Sequence, residues 1–378
     1  MSRARAVVAA PRLRRVDDYT SPVARRRSDA LLDALGTVAP GKPLREGLDR
    51  ILQASMGALI VVGDGPEVLN ICSGGFLLDA AFSPQRLSEL AKMDGAIILA
   101  GDASRIARAN VHLVPNPNVP TSETGTRHRT AERVGRQLDV PVITVSEDMS
   151  LVAIHRRGEK HTLEPIPRVL ARADQALRIL GRYKARLDAV SGSLSALEVE
   201  DLVTVRDVAT VLQRAEMVRR IAEEIEGYVI ELGADGRLVM LQLEELVGGV
   251  EEDRRLVAKD YYKESGDFEL ASVMHLLGQL EDEDLLDLNL VAAVLHLDPD
   301  IGIDGALQPR GFRLLHKIPR LPELVSDHVV DRFANLQKIM RAGLADLTEV
   351  EGVGEVRAKA IKEGLSRLAE TSILERYV

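Results

Sequence analysis

Short apolar runs bounded by glycine or proline recur through the first 165 residues of the chain. They lie at residues 57–63, 96–100, 140–145 and 151–154. Runs of this kind are typical of strands that are buried on both faces of a sheet. Segments with apolar residues at helical spacing lie between or before them, at residues 44–52, 84–93 and 130–138. The alternation predicts an α/β domain with a central mixed sheet over residues 31–167.

The pattern becomes helical after this domain, so we expect a multidomain α/β plus all-α protein. One long amphipathic helix is predicted from apolar residues at steps of three or four, which are Leu202, Val205, Val208, Leu212, Ala215, Val218, Ala222 and Ile225. The acidic stretch 281–284 predicts the start of a short helix, because carboxylates are favoured at the positive end of the helix dipole. We interpret residues 168–308 as a helical spine or linker domain, with a Gly-, Asp- and Pro-rich linker at 299–309.

The last segment, residues 309–378, predicts a helix-hairpin-helix domain. Within 347–361, a short helix ends at a Gly-Val-Gly triplet and a second helix begins at once. The glycines let backbone N–H groups approach a DNA phosphate closely at the positive end of the second helix. Such contacts predict binding that is independent of base sequence and sensitive to salt. The candidate DNA-binding residues are Gly352, Val353, Gly354, Lys359 and Lys362.

An imperfect copy of this hairpin precedes it at residues 318–322. Arg320 and Pro322 stand where glycines are expected. We therefore interpret the first hairpin as a structural partner of the second, with its own DNA contact left open. The alternative for the second hairpin is a plain helical turn with a glycine stop.

Composition narrows the class of protein. The chain has 378 residues, of which 46% are apolar and 3% aromatic, and its only cysteine is Cys72. A single cysteine excludes an intramolecular disulfide and a cysteine-built zinc site, and it fits a reducing cytoplasm. The scarcity of aromatic residues disfavours base-stacking platforms for single strands. No apolar run is long enough for a membrane span, so we expect no association with a membrane.

Charge is distributed unevenly along the chain. The net charge of −9 argues against a protein that coats nucleic acid along its whole surface. Residues 240–300 hold sixteen acidic and four basic residues, whereas 309–378 hold ten acidic and twelve basic ones. Residues 1–30 carry eight Arg against three Asp, which predicts a basic disordered arm.

The strongest candidate for chemistry is a cluster of two guanidiniums, an imidazole and two hydroxyls directly after Gly125. The helix predicted at 130–138 places the cluster where a loop enters a helix, and unpaired N–H groups and the positive dipole end favour phosphate there. Arginine forks also match phosphate oxygens. The alternative is an exposed basic loop without a ligand. The cluster consists of Thr126, Arg127, His128, Arg129 and Thr130.

A second motif, Asp94-Gly95-Ala96, stands between a predicted helix and a predicted strand. A carboxylate there can hold Mg²⁺ or Mn²⁺ together with substrate phosphates, and Gly95 leaves room for a ligand near the backbone. An Asp-Gly pair by itself is most often a turn. Together the two motifs supply what phosphoryl transfer requires, although spacing alone does not show that they meet. A Walker-type loop is absent from the sequence, which disfavours an ordinary P-loop ATPase.

The order of these parts resembles the DisA family of bacterial diadenylate cyclases, of the actinobacterial type. The resemblance covers residues 40 to 378 and rests on the Asp-Gly-Ala motif, the Arg-His-Arg motif, the helical spine and the C-terminal hairpins. It implies that two ATP molecules are joined into cyclic di-AMP with release of two pyrophosphates. It also implies a homo-octamer, inhibition by branched DNA such as Holliday junctions, and a cytoplasmic, nucleoid-associated location.

The resemblance further assigns roles to residues of the two motifs. Asp94 would bind the metal, Mg²⁺ or Mn²⁺, and help to activate the 3′-hydroxyl of ATP. Gly95 and Leu113 would border the nucleotide, and the cluster after Gly125 would hold its phosphates. The expected catalytic residues are Asp94, Arg127, His128 and Arg129. The alternatives are a catalytically silent, nucleotide-sensing DNA-binding scaffold and, less favoured, a subunit of a DNA repair nuclease.

Overall fold

The structure, a computed structural model, describes residues 27–263, 269–298 and 300–376. Its first part is an α/β domain with eight strands. The strands are β1 Ala58–Val62, β2 Cys72–Ser73, β3 Phe76–Ala81, β4 Ala96–Leu99, β5 Arg105–Leu113, β6 Val142–Ser146, β7 Leu151–Arg156 and β8 Glu159–Thr162. The helices are α1 Asp29–Thr37, α2 Pro43–Gln53, α3 Pro66–Asn70, α4 Pro84–Leu90 and α5 Thr126–Gln137.

The strands form one mixed sheet in the order β2-β5-β4-β1-β6-β7-β8, and β3 also pairs with β5. Strands β1 and β4 are parallel, and the other pairs are antiparallel. Ile60 and Val62 belong to the core under α1, α2 and α4, while Leu59 and Val61 belong to the core under α3 and α5. Burial on both faces explains why the strands are uninterrupted apolar runs, and the predicted mixed sheet is confirmed.

The basic arm predicted for residues 1–30 lies outside the described residues except at its end. There the prediction of disorder is wrong. Ser28 caps α1 by accepting a hydrogen bond from the backbone N–H of Leu31 at 3.2 Å. Arg27 forms an ion pair of 2.9 Å with the buried Glu231. These residues are ordered because a helix cap and a buried charge partner stabilise them.

Two long antiparallel helices dominate the next part of the chain. They are α6 Ile166–Glu200 and α7 Val205–Leu232, followed by α8 Arg237–Val247, α9 Val250–Tyr261, α10 Leu270–Gln279 and α11 Leu288–Ala293. With 35 residues, α6 is about 52 Å long. A continuous aliphatic core joins α6 to α7 and to the shorter helices. In the described part of the chain, no helix is long and apolar enough to cross a membrane.

The long helix predicted from Leu202 onward begins later than expected. Leu202 lies between α6 and α7 and is 58% exposed. Asp201 ends α6 in a left-handed conformation with φ of 59°, and Thr204 and Asp207 form a capping box at the start of α7. The other predicted residues of this helix, from Val205 to Ile225, are buried as expected. The acidic stretch at 281–284 leads into one turn of 3₁₀ helix, Asp284–Leu286.

Five helices form the C-terminal part of the described chain. They are α12 Phe312–His316, α13 Glu323–Phe333, α14 Leu336–Arg341, α15 Leu344–Thr348 and α16 Glu355–Arg376. The pairs α12–α13 and α15–α16 are two helical hairpins that repeat at an interval of 32 residues. In each hairpin the turn is closed by matching backbone hydrogen bonds, from Leu321 to Ile318 at 3.4 Å and from Val353 to Val350 at 3.0 Å.

A buried polar junction fastens the first hairpin to the spine. The side chain of Arg313, on α12, is 1% exposed and donates to Glu198 Oε2 at 2.8 Å. It also donates to the hydroxyls of Ser191 and Ser195 at 3.0 and 2.8 Å. Tyr261 donates to Glu198 Oε1 at 2.8 Å. Three helices, α6, α9 and α12, therefore meet around one buried ion pair.

Replacing Arg313 with Met leaves the Glu198 carboxylate buried without its partner. We expect the free energy of unfolding of the C-terminal part to fall by about 3–5 kcal/mol. Urea unfolding followed by hydrogen exchange in peptides from residues 312–341 measures this change. The control is Lys184→Met on α6, which removes a surface pair with Asp188 and should cost less than about 1 kcal/mol. Equal, small effects of the two substitutions would contradict the role of the junction.

Candidate active site and DNA-binding hairpins

The two nucleotide motifs meet at one edge of the sheet. Asp94 and Gly95 directly precede β4, which runs parallel to β1, so they lie at the edge where β1 also begins. Helix α5 brings Arg127 to the same edge, where its Nη2 lies 3.2 Å from Asp94 Oδ1. The Asp94 side chain is 97% exposed, which leaves it open to a ligand. The sequence alone could not establish this meeting, because 33 residues separate the two side chains.

Helix α5 begins four residues earlier than the sequence pattern predicts, at Thr126 instead of Thr130. Gly125 is its N-cap residue, and the N–H of Arg129 donates to the Gly125 carbonyl at 3.1 Å. The cluster therefore forms the first turn of a helix instead of the loop before it. Backbone N–H groups of a first turn have no intrahelical acceptors, which strengthens the expectation of an anion site. The side chains of Thr126 and Arg129 are exposed, and those of Arg127, His128 and Thr130 are half-buried.

Gly57 is a member of the site that sequence reasoning missed. It directly precedes β1, and a Cβ on it would lie 2.2 Å from Arg127 Nη1. The guanidinium therefore lies across the bare backbone of Gly57 on its way to Asp94. The signal in the sequence was the glycine at the start of the first apolar run. That signal indicates a turn equally well, so it could not have identified the contact.

The structural reason for a glycine at position 95 differs from the expected one, which was room for a ligand. Its φ is +106°, and a Cβ on it would lie 2.8 Å from the carbonyl carbon of Asn110. The backbone of β5, and not an open space for a ligand, occupies that side of Gly95. Leu113, at the end of β5, is 5% exposed and its side chain belongs to the core. Any nucleotide contact of Leu113 would therefore come from its backbone, and its role stays a prediction.

The turn between β6 and β7 adds two carboxylates near the site. Val145 of β6 pairs with Ala58 of β1, so the turn 147–150 lies beyond Gly57 at the same sheet edge. Glu147 and Asp148 are exposed there. In the described residues, no three His, Cys, Asp or Glu side chains are grouped to hold a metal ion. The donor set fits a cation that takes one or two carboxylates and completes its shell with water and phosphate oxygens, as Mg²⁺ does.

A buried histidine lies beneath α5. His155 of β7 is 2% exposed, and neither ring nitrogen has a hydrogen-bond partner among the residues that the structure describes. A Cβ on Gly135 of α5 would lie 3.0 Å from the His155 backbone, so helix and strand are in close contact. Burial lowers the pKa of His155 to about 4, which keeps the ring neutral at physiological pH.

The second hairpin has the expected form, but the structure corrects the predicted roles of two side chains, those of Val353 and Lys362. Gly352 takes a left-handed φ of +82°, and a Cβ on Gly354 would meet no atom of the described chain within 4 Å. Val353 is 4% exposed and packs in the core, so only its backbone is available to DNA. Lys362 donates to the carbonyls of Met340 and Ala342, both at 2.7 Å. Its charge neutralises the end of α14 instead of facing DNA, because those carbonyls have no intrahelical donors.

Lys359 remains accessible, with a side chain that is 69% exposed. Arg357 was missed by the sequence analysis. Its Nη1 donates to the Gly352 carbonyl at 2.6 Å, which places a guanidinium at the hairpin turn. In the first hairpin, Arg320 occupies the place of Gly352 and has the same left-handed conformation, with φ of +62°. It is exposed.

The fold and site together define a nucleotide-binding α/β domain joined to a helical spine and paired helical hairpins. Two family models match: "DisA bacterial checkpoint controller nucleotide-binding" over residues 45–160, and "DisA bacterial checkpoint controller linker region" over 163–302. The protein named "DNA integrity scanning protein DisA" from Frankia alni is 56% identical over 352 residues, which cover 93% of this chain and 98% of that protein. Its namesake from Streptomyces coelicolor is 52% identical over 356 residues, covering 93% of this chain and 95% of that protein.

The chain belongs to the DisA family. The diadenylate cyclase activity that the family resemblance implied is confirmed by this membership, and the silent scaffold is not favoured. Among solved structures, DacA from Staphylococcus aureus matches 34% of this chain and 86% of its own, at 22% identity with a TM-score of 0.27. That score is too low to be evidence of shared architecture.

Replacing Gly57 with Ala tests the site geometry. The new methyl group would displace the flexible Arg127 guanidinium from Asp94. It would also lie 3.3 Å from the Val145 carbonyl oxygen, which has to shift by only a few tenths of an ångström. We expect ATP turnover to fall by about tenfold or more, because reacting groups tolerate little misplacement, with little change in melting temperature. The control is Gly65→Ala at the other end of β1, where a Cβ meets nothing of the described chain within 4 Å. Full activity of the Gly57 variant would show that Arg127 can act without lying across the backbone of Gly57.

Proposed function

We propose that this chain condenses two ATP molecules into cyclic di-AMP at the Asp94–Arg127 edge of the sheet and is regulated by DNA at its C-terminal hairpins. The observation that carries the site assignment is the 3.2 Å contact between Asp94 and Arg127 at the start of α5. It unites a carboxylate, a guanidinium and a helix N-terminus, which are the groups that a nucleotidyl transfer requires.

In the proposed reaction, the 3′-hydroxyl of each ATP attacks the α-phosphate of the other, and pyrophosphate leaves. Arg127 and Arg129 stabilise the charge that develops on the phosphate oxygens. The N–H groups of the first turn of α5, with the hydroxyls of Thr126 and Thr130 and the ring of His128, hold the phosphates. Asp94 orients the attacking hydroxyl. The divalent metal of this family's reaction, Mg²⁺ or Mn²⁺, would be held by Asp94 and would offset phosphate charge.

The reaction requires a second copy of the domain. Each domain is expected to hold one ATP, and the attacking hydroxyl comes from the other ATP. The open position of Asp94, 97% exposed at the sheet edge, supports a site that is completed by an opposing protomer. We propose that the homo-octamer supplies this arrangement, with activity in the cytoplasm at the nucleoid.

A product assay tests the enzymatic proposal. With ATP and Mg²⁺ or Mn²⁺, the full chain should form cyclic di-AMP, and Asp94→Asn should lower the rate by about 100-fold or more without changing the assembly's mass in solution. The control is Asp102→Asn, in the turn after β4 at the opposite edge of the sheet. The site assignment fails if Asp94→Asn keeps wild-type activity.

The DNA proposal has a separate test, because Gly354 offers space for a side chain without backbone strain. Gly354→Asp places a negative charge where a DNA phosphate is expected. Its affinity for a four-way junction should fall by about tenfold or more, while cyclase activity without DNA stays unchanged. The matched control is Gly101→Asp in the α/β domain, where a Cβ also meets no described atom within 4 Å.

Arg320→Ala, measured in the same binding titration, tests whether the first hairpin also contacts DNA. A loss of affinity and a smaller salt dependence indicate a second phosphate contact. Unchanged binding by the Gly354 variant would refute the hairpin assignment, whatever the Arg320 result.

A further inference from the structure

The loop between β5 and α5 is fastened along the outer side of α5. It spans residues 114–125 and has no regular secondary structure. Gln137 Oε1 accepts from the N–H of Asn116 at 2.9 Å, and Arg133 Nε donates to the Val119 carbonyl at 3.0 Å. The helix that carries the phosphate-binding cluster therefore also determines the path of the chain that leads into it.

The densest part of this attachment is one carboxylate, that of Glu132. It is 7% exposed and accepts from Thr121 Oγ1 at 2.5 Å and from the N–H groups of Ser122 and Glu123 at 2.9 and 3.2 Å. Ser122 Oγ is a further donor at 3.2 Å. Arg136 Nη2 completes the set at 2.7 Å. Four donors of the loop thus converge on two oxygen atoms.

The Glu132 carboxylate is ionised at neutral pH. Burial by itself raises its pKa, but the hydrogen bonds from Thr121, Ser122 and Glu123 and the charge of Arg136 outweigh burial and lower it. An ionised carboxylate can accept from every one of these donors. A glutamine in its place offers one oxygen. With that oxygen in the place of Oε2, its NH₂ group replaces Oε1 and faces the Arg136 guanidinium, which can only donate.

This attachment lies directly before the nucleotide site. Only Thr124 and Gly125 separate the fastened segment from Thr126, and Glu132 follows His128 by one helical turn. Fixing Ser122 and Glu123 limits the positions that Gly125 and the first turn of α5 can adopt.

We propose that Glu132 is a positioning residue of the cyclase site, which holds residues 121–123 so that the first turn of α5 presents Arg127 and His128 to the ATP phosphates. The proposal rests on the phosphate-binding role assigned above to that turn. Glu132 acts through the loop and does not itself touch the nucleotide.

Steady-state kinetics of Glu132→Gln with ATP and Mn²⁺ test this proposal. We expect KM for ATP to rise and kcat to fall, each by about threefold or more, so that kcat/KM falls by about tenfold or more. A purely structural loss would lower the active fraction, and hence kcat, while KM stays unchanged. The matched control is Asp139→Asn, a carboxylate just after α5 that pairs with Arg156 at 3.3 Å. An unchanged KM in the Glu132 variant overturns the proposal.

Two milder variants keep the proposal testable if Glu132→Gln does not fold. Thr121→Val and Ser122→Ala each remove one donor and leave the carboxylate in place. Each should raise KM for ATP, and in the double variant the two effects should be less than additive, because both act through one attachment. Wild-type KM in both folded single variants overturns the proposal. Arg127→Ala is measured in parallel, since full activity there would refute the site itself and not the role of Glu132.

Discussion

The buried ion pair between Arg313 and Glu198 is the interaction on which the arrangement of the domains depends. Both side chains are 1% exposed, so removing either one would leave a buried charge without its counterion. The remaining donors of Arg313 go to Ser191 and Ser195, and Tyr261 adds a donor to Glu198. An ion pair with this complete set of hydrogen bonds fixes one orientation of the three helices. Its hydrogen bonds are directional, whereas apolar packing would allow the helices to shift along one another.

A second buried carboxylate holds the other end of the α6–α7 pair. Glu231, near the end of α7, is 4% exposed, forms an ion pair with Arg27 at 2.9 Å and is hydrogen-bonded to His161 Nε2 at 3.0 Å. His161 belongs to β8 and Arg27 directly precedes the cap of α1, so Glu231 fastens the α/β domain to the spine. The two long helices thus run between two buried carboxylates, Glu198 and Glu231. The two ends are therefore connected by continuous helices and not by a flexible linker.

The sequence predicts the parts of this protein that depend on local pattern. Buried strands, the mixed sheet and the hairpin turn around Gly352 follow from apolar runs and glycine positions, and the structure agrees. Long-range contacts do not follow. Arg127 reaches Asp94 only because Gly57 is bare, and Lys362 turns away from the hairpin to the end of α14. Arg313 is one of twelve basic residues in its segment, and nothing in its neighbours along the chain indicates that it is buried.

The two C-terminal hairpins have the same backbone form but different surroundings. Phe312 and Arg313 of the first hairpin are buried against the spine, whereas their counterparts 32 residues later, Leu344 and Ala345, are exposed. The first hairpin is therefore the anchor, and the second leaves its turn accessible. This asymmetry explains the difference between Arg320 and Gly352, since a hairpin held by its helices can tolerate a side chain at the turn. In the proposed DNA complex, glycine at the second turn lets the backbone approach a phosphate closely.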